Sequence, residues 1–167
     1  MRFPFIAAAV VVLSLLACNG PTKSTSNTLV ETPDYTGVIV SKHRASEWGF
    51  LFNLASTEFW EPSEDDVSRA EKCIKQLLVS VQQDPDDYRK EHAAYILENL
   101  LQYRRQYVGR VVNGEKRIWC NAFFAEGSFP DWIDDPVYVI DGGHHYWEIE
   151  YVLPKDECIS FHVHGEA

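Results

Sequence analysis

Basic residues are scarce in this chain: 15 Lys and Arg stand against 25 Asp and Glu in 167 residues, for a formal charge of −10. That acidity argues against nucleic-acid binding and against electrostatic attachment to anionic lipid headgroups, both of which need clustered cations. It suits a solvated surface or a basic protein partner. Motifs that would name a reaction are also missing. There is no CxxC, no nucleophile-elbow glycine pattern around any serine or cysteine, no glycine-rich phosphate loop and no HExxH. No catalytic residue and no cofactor are therefore assigned. Apart from Cys18 there are three cysteines, Cys73, Cys120 and Cys158. In an oxidising compartment an odd number permits at most one intramolecular bridge, of open connectivity, and leaves one thiol. A buried structural thiol is the default for each.

Long apolar runs are lacking as well, with one exception at the start. Met1-Arg2 precedes an apolar stretch over residues 3–17, too short for a comfortable membrane span and shaped like a secretory leader. It ends Leu15-Leu16-Ala17-Cys18, which resembles the lipobox of bacterial lipoproteins. The resemblance implies cleavage before Cys18, a diacylglyceryl thioether on its sulfur, palmitate-type acylation of the new amine and a membrane anchor in the cell envelope, facing the periplasm. Asn19 follows, not aspartate. In enterobacterial lipoproteins the lack of that retention signal implies outer-membrane sorting. Processing would leave residues 18–167 with 14 basic and 25 acidic side chains, a charge of −11. Residues 18–34 are polar and turn-rich and are expected to form a flexible tether. Residues 35–167 are expected to form a single α+β domain, large enough for a real core.

Within that domain, Gly37-Val38-Ile39-Val40 is a short candidate strand. Trp48, Phe50, Phe52, Phe59 and Trp60 cluster in a segment too rich in aromatic surface to stand in water, so it is expected to pack over the core. Ser63 with three following acids starts a helix whose apolar stripe is Val67, Ala70, Ile74, Leu77, Leu78 and Val81, flanked by Cys73. A second helix is expected with Asp84 as cap, Pro85 as its first residue and an end near Arg104. It carries His92 among aromatics, a satisfied core or boundary histidine. Asn113-Gly114 between two alternating runs predicts a type I′ hairpin pairing Tyr107 with Cys120, Val108 with Trp119 and Arg110 with Arg117. The two arginines need a carboxylate or a tryptophan face to share.

The carboxyl end shows the clearest alternation. Val137-Tyr138-Val139-Ile140 is expected to pair through an Asp141-Gly142-Gly143 turn with a strand over residues 144–153, and that strand with residues 158–164. Setting Leu153 opposite Ile159 puts Trp147, Ile149, Tyr151, Phe161 and Val163 on a core face. The other face then holds Tyr146, Glu148, Glu150, His162 and His164, with Glu150 opposite His162 and Glu148 opposite His164. The expected plan is two helices on a curled antiparallel sheet of about four strands, similar in outline to cystatin-like and NTF2-like folds. Phe59-Trp60-Glu61-Pro62-Ser63, residues 103–109, Asp141-Gly142-Gly143 and Asn121 with the terminal Gly165-Glu166-Ala167 resemble a set of small uncharacterised bacterial envelope proteins, a resemblance that implies no activity.

The outward face of Tyr146, Glu148, Glu150, His162 and His164 is the candidate binding face, for an envelope protein partner of a non-catalytic interaction module with an inhibitor, immunity-type or assembly role. The alternative is a metal-binding protein or metal-dependent enzyme using the same histidine face together with His144 and His145.

Overall fold

The computed structural model describes residues 26–51, 58–127 and 129–165. The leader, Cys18 and the tether up to residue 25 lie outside the described residues, as does Phe52. Among the described residues no helix is long and apolar enough to cross a membrane. The elements run β1 (Thr28–Glu31), β2 (Thr36–Ile39), α1 (Lys42–Leu51), β3 (Glu58–Trp60), α2 (Glu64–Val81), α3 (Asp87–Glu98), β4 (Tyr103–Val112), β5 (Glu115–Phe124), β6 (Tyr146–Val152) and β7 (Glu157–Val163).

The class is α+β, but the expected plan of two helices on about four antiparallel strands is overturned. Among the described residues three α-helices accompany a seven-stranded mixed sheet of order β1-β2-β4-β5-β6-β7, with β3 on β4, and β2 runs parallel to β4. Strand β4 is long enough to share one edge between two partners. Its first half pairs with β2, Thr36 to Arg104 through Ile39 to Tyr107. Its second half pairs with β3, Glu58 to Val111 through Trp60 to Gly109. Helix α1 joins these two neighbours. The sheet also starts earlier than expected: β1, inside the stretch read as tether, pairs with β2. Thr32 makes that corner, its Oγ1 accepting from the amides of Asp34 at 3.2 Å and Tyr35 at 3.0 Å, a local side-chain turn that an alternation pattern does not signal.

Helix α2 begins where the sequence places it. Ser63 Oγ accepts from the Asp66 amide at 3.2 Å and Asp66 Oδ2 accepts from the Ser63 amide at 3.0 Å, a capping box closed by aspartate. Helix α3 starts two residues later than expected, because Asp86 rather than Asp84 caps it, accepting from the Tyr88 and Arg89 amides. It also stops earlier, at Glu98. Asn99 turns its side-chain amide onto the Tyr95 carbonyl at 2.9 Å, a 3-10 turn covers Leu100–Gln102, and Tyr103 is already in β4.

The Asn113-Gly114 hairpin has the expected register throughout, with positive φ of 52° and 79° at its two turn residues. The carboxyl end departs from expectation. Residues 137–140 are not a strand. The Val137 amide donates to Gln106 Oε1 at 3.0 Å and its carbonyl accepts from Asn121 Nδ2 at 2.8 Å, so side chains of β4 and β5 take the place of a ladder. Gly142 and Gly143 do have positive φ, 127° and 55°, but both amides donate to the Gly165 carbonyl instead of closing a hairpin. Between β6 and β7 the register is also shifted. Glu148 faces His162 and Trp147 faces Val163, but Glu150 faces Ile159 and Tyr151 faces Cys158. A bulge at Ser160, φ 58°, absorbs the change of parity. Cys158 therefore turns to the core face and Ile159 to the other.

Both sheet faces are covered. On one, α2 and α3 bury Ile74, Leu78, Ala93 and Ile96 against Tyr103, Tyr107, Ile118, Trp147, Ile149 and Tyr151. On the other, Trp48 of α1 packs with Val108 and Trp119, and Trp132 and Val137 pack with Val38 and Phe123. Gly109 is set by the double pairing of β4. A Cβ there would strike the Trp60 carbonyl, a backbone atom that cannot swing aside. Gly109→Ala is expected to cost about 1–3 kcal/mol in chemical denaturation by forcing β3 off β4. Gly114→Ala, with open space around it, loses only what its positive φ demands.

Candidate functional site

On the sheet face away from α2 and α3, β5, β6 and β7 set Trp119, Tyr146, Glu148, Glu150, His162 and His164 side by side. Trp119 Nε1 donates to Glu148 Oε2 at 3.0 Å, and His164 Nε2 lies 3.2 Å from Glu148 Oε1. The His162 and His164 ring centroids are 5.7 Å apart, and Tyr146 stands edge-on to His164 at 6.4 Å. Four of the five residues expected to form a face, Tyr146, Glu148, His162 and His164, are thus gathered. His162 is exposed, and Tyr146, Glu148 and His164 are partly buried.

Glu150 does not belong to that exposed group. It is only 5% exposed. Arg110 Nε donates to its Oε1 at 2.7 Å and Arg117 Nη1 to its Oε2 at 3.2 Å. Arg117 Nη2 continues to Glu115 at 2.9 Å, and Lys155 closes the row on Glu115 at 2.7 Å. The shared carboxylate that the Arg110–Arg117 pairing required is Glu150. Lys155 and Arg117 hold the Glu115 carboxyl below the ordinary range. Sequence alternation could not separate Glu148 from Glu150, because the difference is which side chains of β4 and β5 lie beside each.

The electrostatics of the exposed group follow from its contacts. The Glu148 carboxylate, with the carbonyls of Val139 and Ile140, holds the His164 imidazole above its ordinary value. Burial works against the Glu148 charge, yet the hydrogen bonds from His164 and Trp119 keep its carboxyl below the ordinary range. An imidazole with acceptors around it is favoured in its protonated form. That leaves His164 poorly placed as a metal ligand or general base, and the outward-facing imidazole is His162. Among the described residues no three His, Cys, Asp or Glu side chains converge as a metal site would need. Thiol chemistry has little support at this face, since Cys120 is 1% exposed and burial pushes its thiol well up.

The other histidines form a separate stack. The ring of His144 lies 3.8 Å from that of Tyr95, 5.6 Å from His92 and 4.5 Å from His145, joining α3 to the turn before β6. His144 and His145 therefore pack against α3 and not with His162. Under the helix layer, sequence reasoning missed a buried group. Arg105 Nε lies 3.0 Å from Glu71 Oε1, and Tyr107 Oη donates to the same oxygen at 2.7 Å. Burial pushes the Glu71 carboxyl up against the opposing pull of Arg105 and Tyr107. Glu71 lines the floor of an open cleft of about 630 Å³ between Tyr35, Lys72, Lys75, Leu97 and Leu100. Two signals were present in the sequence: Glu71 falls within the Val67, Ala70, Ile74 stripe, and Arg105 alternates with Tyr103 and Tyr107.

Two outcomes are expected. Glu150→Ala leaves Arg110 and Arg117 facing each other half-buried and should cost on the order of 3 kcal/mol in urea denaturation, near the low end for breaking a buried pair. The His164–Glu148 pair should make stability pH-dependent. The raised imidazole contributes fully below its unfolded value of 6.5 and loses that contribution as pH climbs through the folded value. The lowered carboxyl contributes above 4.5 and loses it as pH falls through its folded value. Relative to His164→Asn, the parent should thus be most favoured between these two pH values, by about 1 kcal/mol, and should lose the margin as pH rises through the folded imidazole's raised value in paired unfolding curves.

No family model, no curated protein and no solved structure matches this chain.

Proposed function

We propose that this is a lipid-anchored bacterial envelope protein, tethered through Cys18, whose α+β domain acts by binding a protein partner and not by catalysis. The observation that carries the binding face is the arrangement around Glu148. Its carboxylate is locked by Trp119 and His164, so the exposed His162 directly opposite it is presented on a rigid support. His164 reaches the carbonyls of Val139 and Ile140, which brings Tyr138 and Ile140, 59% and 73% exposed, to the border of the same patch. Imidazole, tyrosine and aliphatic surface held on a sheet are the composition of a protein contact, with few side chains to immobilise on association. The overall acidity favours a basic partner through encounter rate and orientation. The lipobox ending Leu15-Leu16-Ala17-Cys18 supports the anchor, since several acyl chains hold a domain at a membrane without a spanning helix.

The test uses one variant with two surface substitutions that leave Glu148, Glu150 and His164 intact. His162→Asp with Ile140→Asp should keep the parent's melting curve and lose the envelope protein that cross-links to the parent in cells. Capture equal to the parent's would refute this face. Labelling with a palmitate analogue should mark the parent and not Cys18→Ala; equal labelling of both would refute the anchor.

A further inference from the structure

Away from that face, α2 and β7 bring two sulfur atoms together. Arg69 of α2 is fastened to the β6–β7 connection, with its guanidinium 6.0 Å from the Tyr151 ring centroid and 3.1 Å from Asp156 Oδ1. Tyr151 also donates its hydroxyl to Asp156. Cys73 lies one turn beyond Arg69 on the same side of the helix. Cys158 is the cross-strand partner of Tyr151, and it faces α2 because the Ser160 bulge inverts the parity of β7. The turn of helix carrying Cys73 therefore lies over Cys158, and the two side chains, both free thiols, pack in the same core cluster. Cys120 sits on the central strand β5 opposite Ile149 and is buried within the sheet-to-helix core.

We propose that Cys73 and Cys158 form the single intramolecular disulfide of this protein, stapling α2 to the last strand and leaving Cys120 as a thiol. Its occurrence in cells rests on the export reading above; the pairing itself does not. The co-reactant is a disulfide-bearing oxidant. The half-buried Cys73 attacks it as thiolate, forming a mixed disulfide and expelling one oxidant thiolate. Cys158 then attacks the Cys73 sulfur and expels the second. Two protons leave the chain, two electrons pass to the oxidant, and the oxidant ends as two thiols. Burial raises both cysteine thiols, so little thiolate exists once α2 is seated. The bond closes while the helix is docking, and the folded, reduced protein oxidises slowly.

The experiment takes the full chain, unfolded and reduced, and refolds it with oxidised glutathione before free thiols are alkylated and peptides mapped. The expected product joins Cys73 to Cys158 with Cys120 alkylated, and melts roughly 5–15 °C higher than the reduced form. That gain should vanish in Cys73→Ser and in Cys158→Ser and persist in Cys120→Ala. The same chain oxidised after folding should link far more slowly. A dominant bond to Cys120 or Cys18, or alkylation of all of Cys73 and Cys158, overturns the pairing in whatever compartment the protein resides. Loss of the export reading would appear separately, as absent acyl labelling of Cys18 with the Cys73–Cys158 bond still formed in the purified chain.

Discussion

A guanidinium with no exposure to water, that of Arg105, is where the layers of this protein meet. Its Nε faces Glu71 of α2, and its two terminal nitrogens donate to the Tyr103 and Leu100 carbonyls at 2.9 Å. One side chain of β4 thereby fixes the angle of α2, satisfies a carbonyl left over where the chain leaves α3, and holds the start of its own strand. A buried charge is costly to desolvate, and the cost is offset only when several acceptors surround it in one arrangement. Alternative seatings of α2 would strand either Arg105 or Glu71, so the pair selects one docking even if its net stabilisation is small. The contact between Cys73 and Cys158 and the enclosure of Tyr151 both depend on that seating.

The second constraint is strand β4 itself. Because β2 and β3 share one of its edges, the connection between them must leave the sheet and return, and α1 does so over the face that α2 and α3 do not cover. Trp48, Trp132 and Val137 then close most of that face. Among the described residues the part over β6 and β7 is less covered, and there Glu148, His162 and His164 lie. The group around Glu148 thus occupies the part of the sheet face that the covering elements leave. Its charges are held in place by Trp119 and by the last turn of chain, not by free side-chain motion.

The polar rows on this face divide the work between them. Arg110, Glu150, Arg117, Glu115 and Lys155 alternate in sign, each carboxylate shared by two cations, which suits support more than recognition. The neighbouring row ends in an exposed imidazole. Two glutamates two residues apart on one strand therefore do different things, Glu150 inside a cation pair and Glu148 beneath the patch.

Local chemistry was legible where the cause is local. The Ser63 cap, the α2 stripe and the Asn113-Gly114 register with its stacked arginines follow from backbone geometry within a few residues, and all appear as the residues dictate. What the chain alone could not decide is where long-range pairing competes with local pattern. Residues 137–140 have the composition of a strand, but Gln106 and Asn121, far away in sequence, take both backbone groups of Val137. Alternation over residues 158–164 suggests one set of faces, and a single bulge at Ser160 inverts half of it, because period-two patterns carry no memory of an inserted residue. The sequence by itself determined the acidic composition, the mixed helix-and-strand character and the central hairpin. Only tertiary structure decided that the sheet is mixed and covered on both faces, that Glu150 is sealed while Glu148 is not, and that Cys73 meets Cys158. Each of those depends on which distant side chain reaches a buried polar group first.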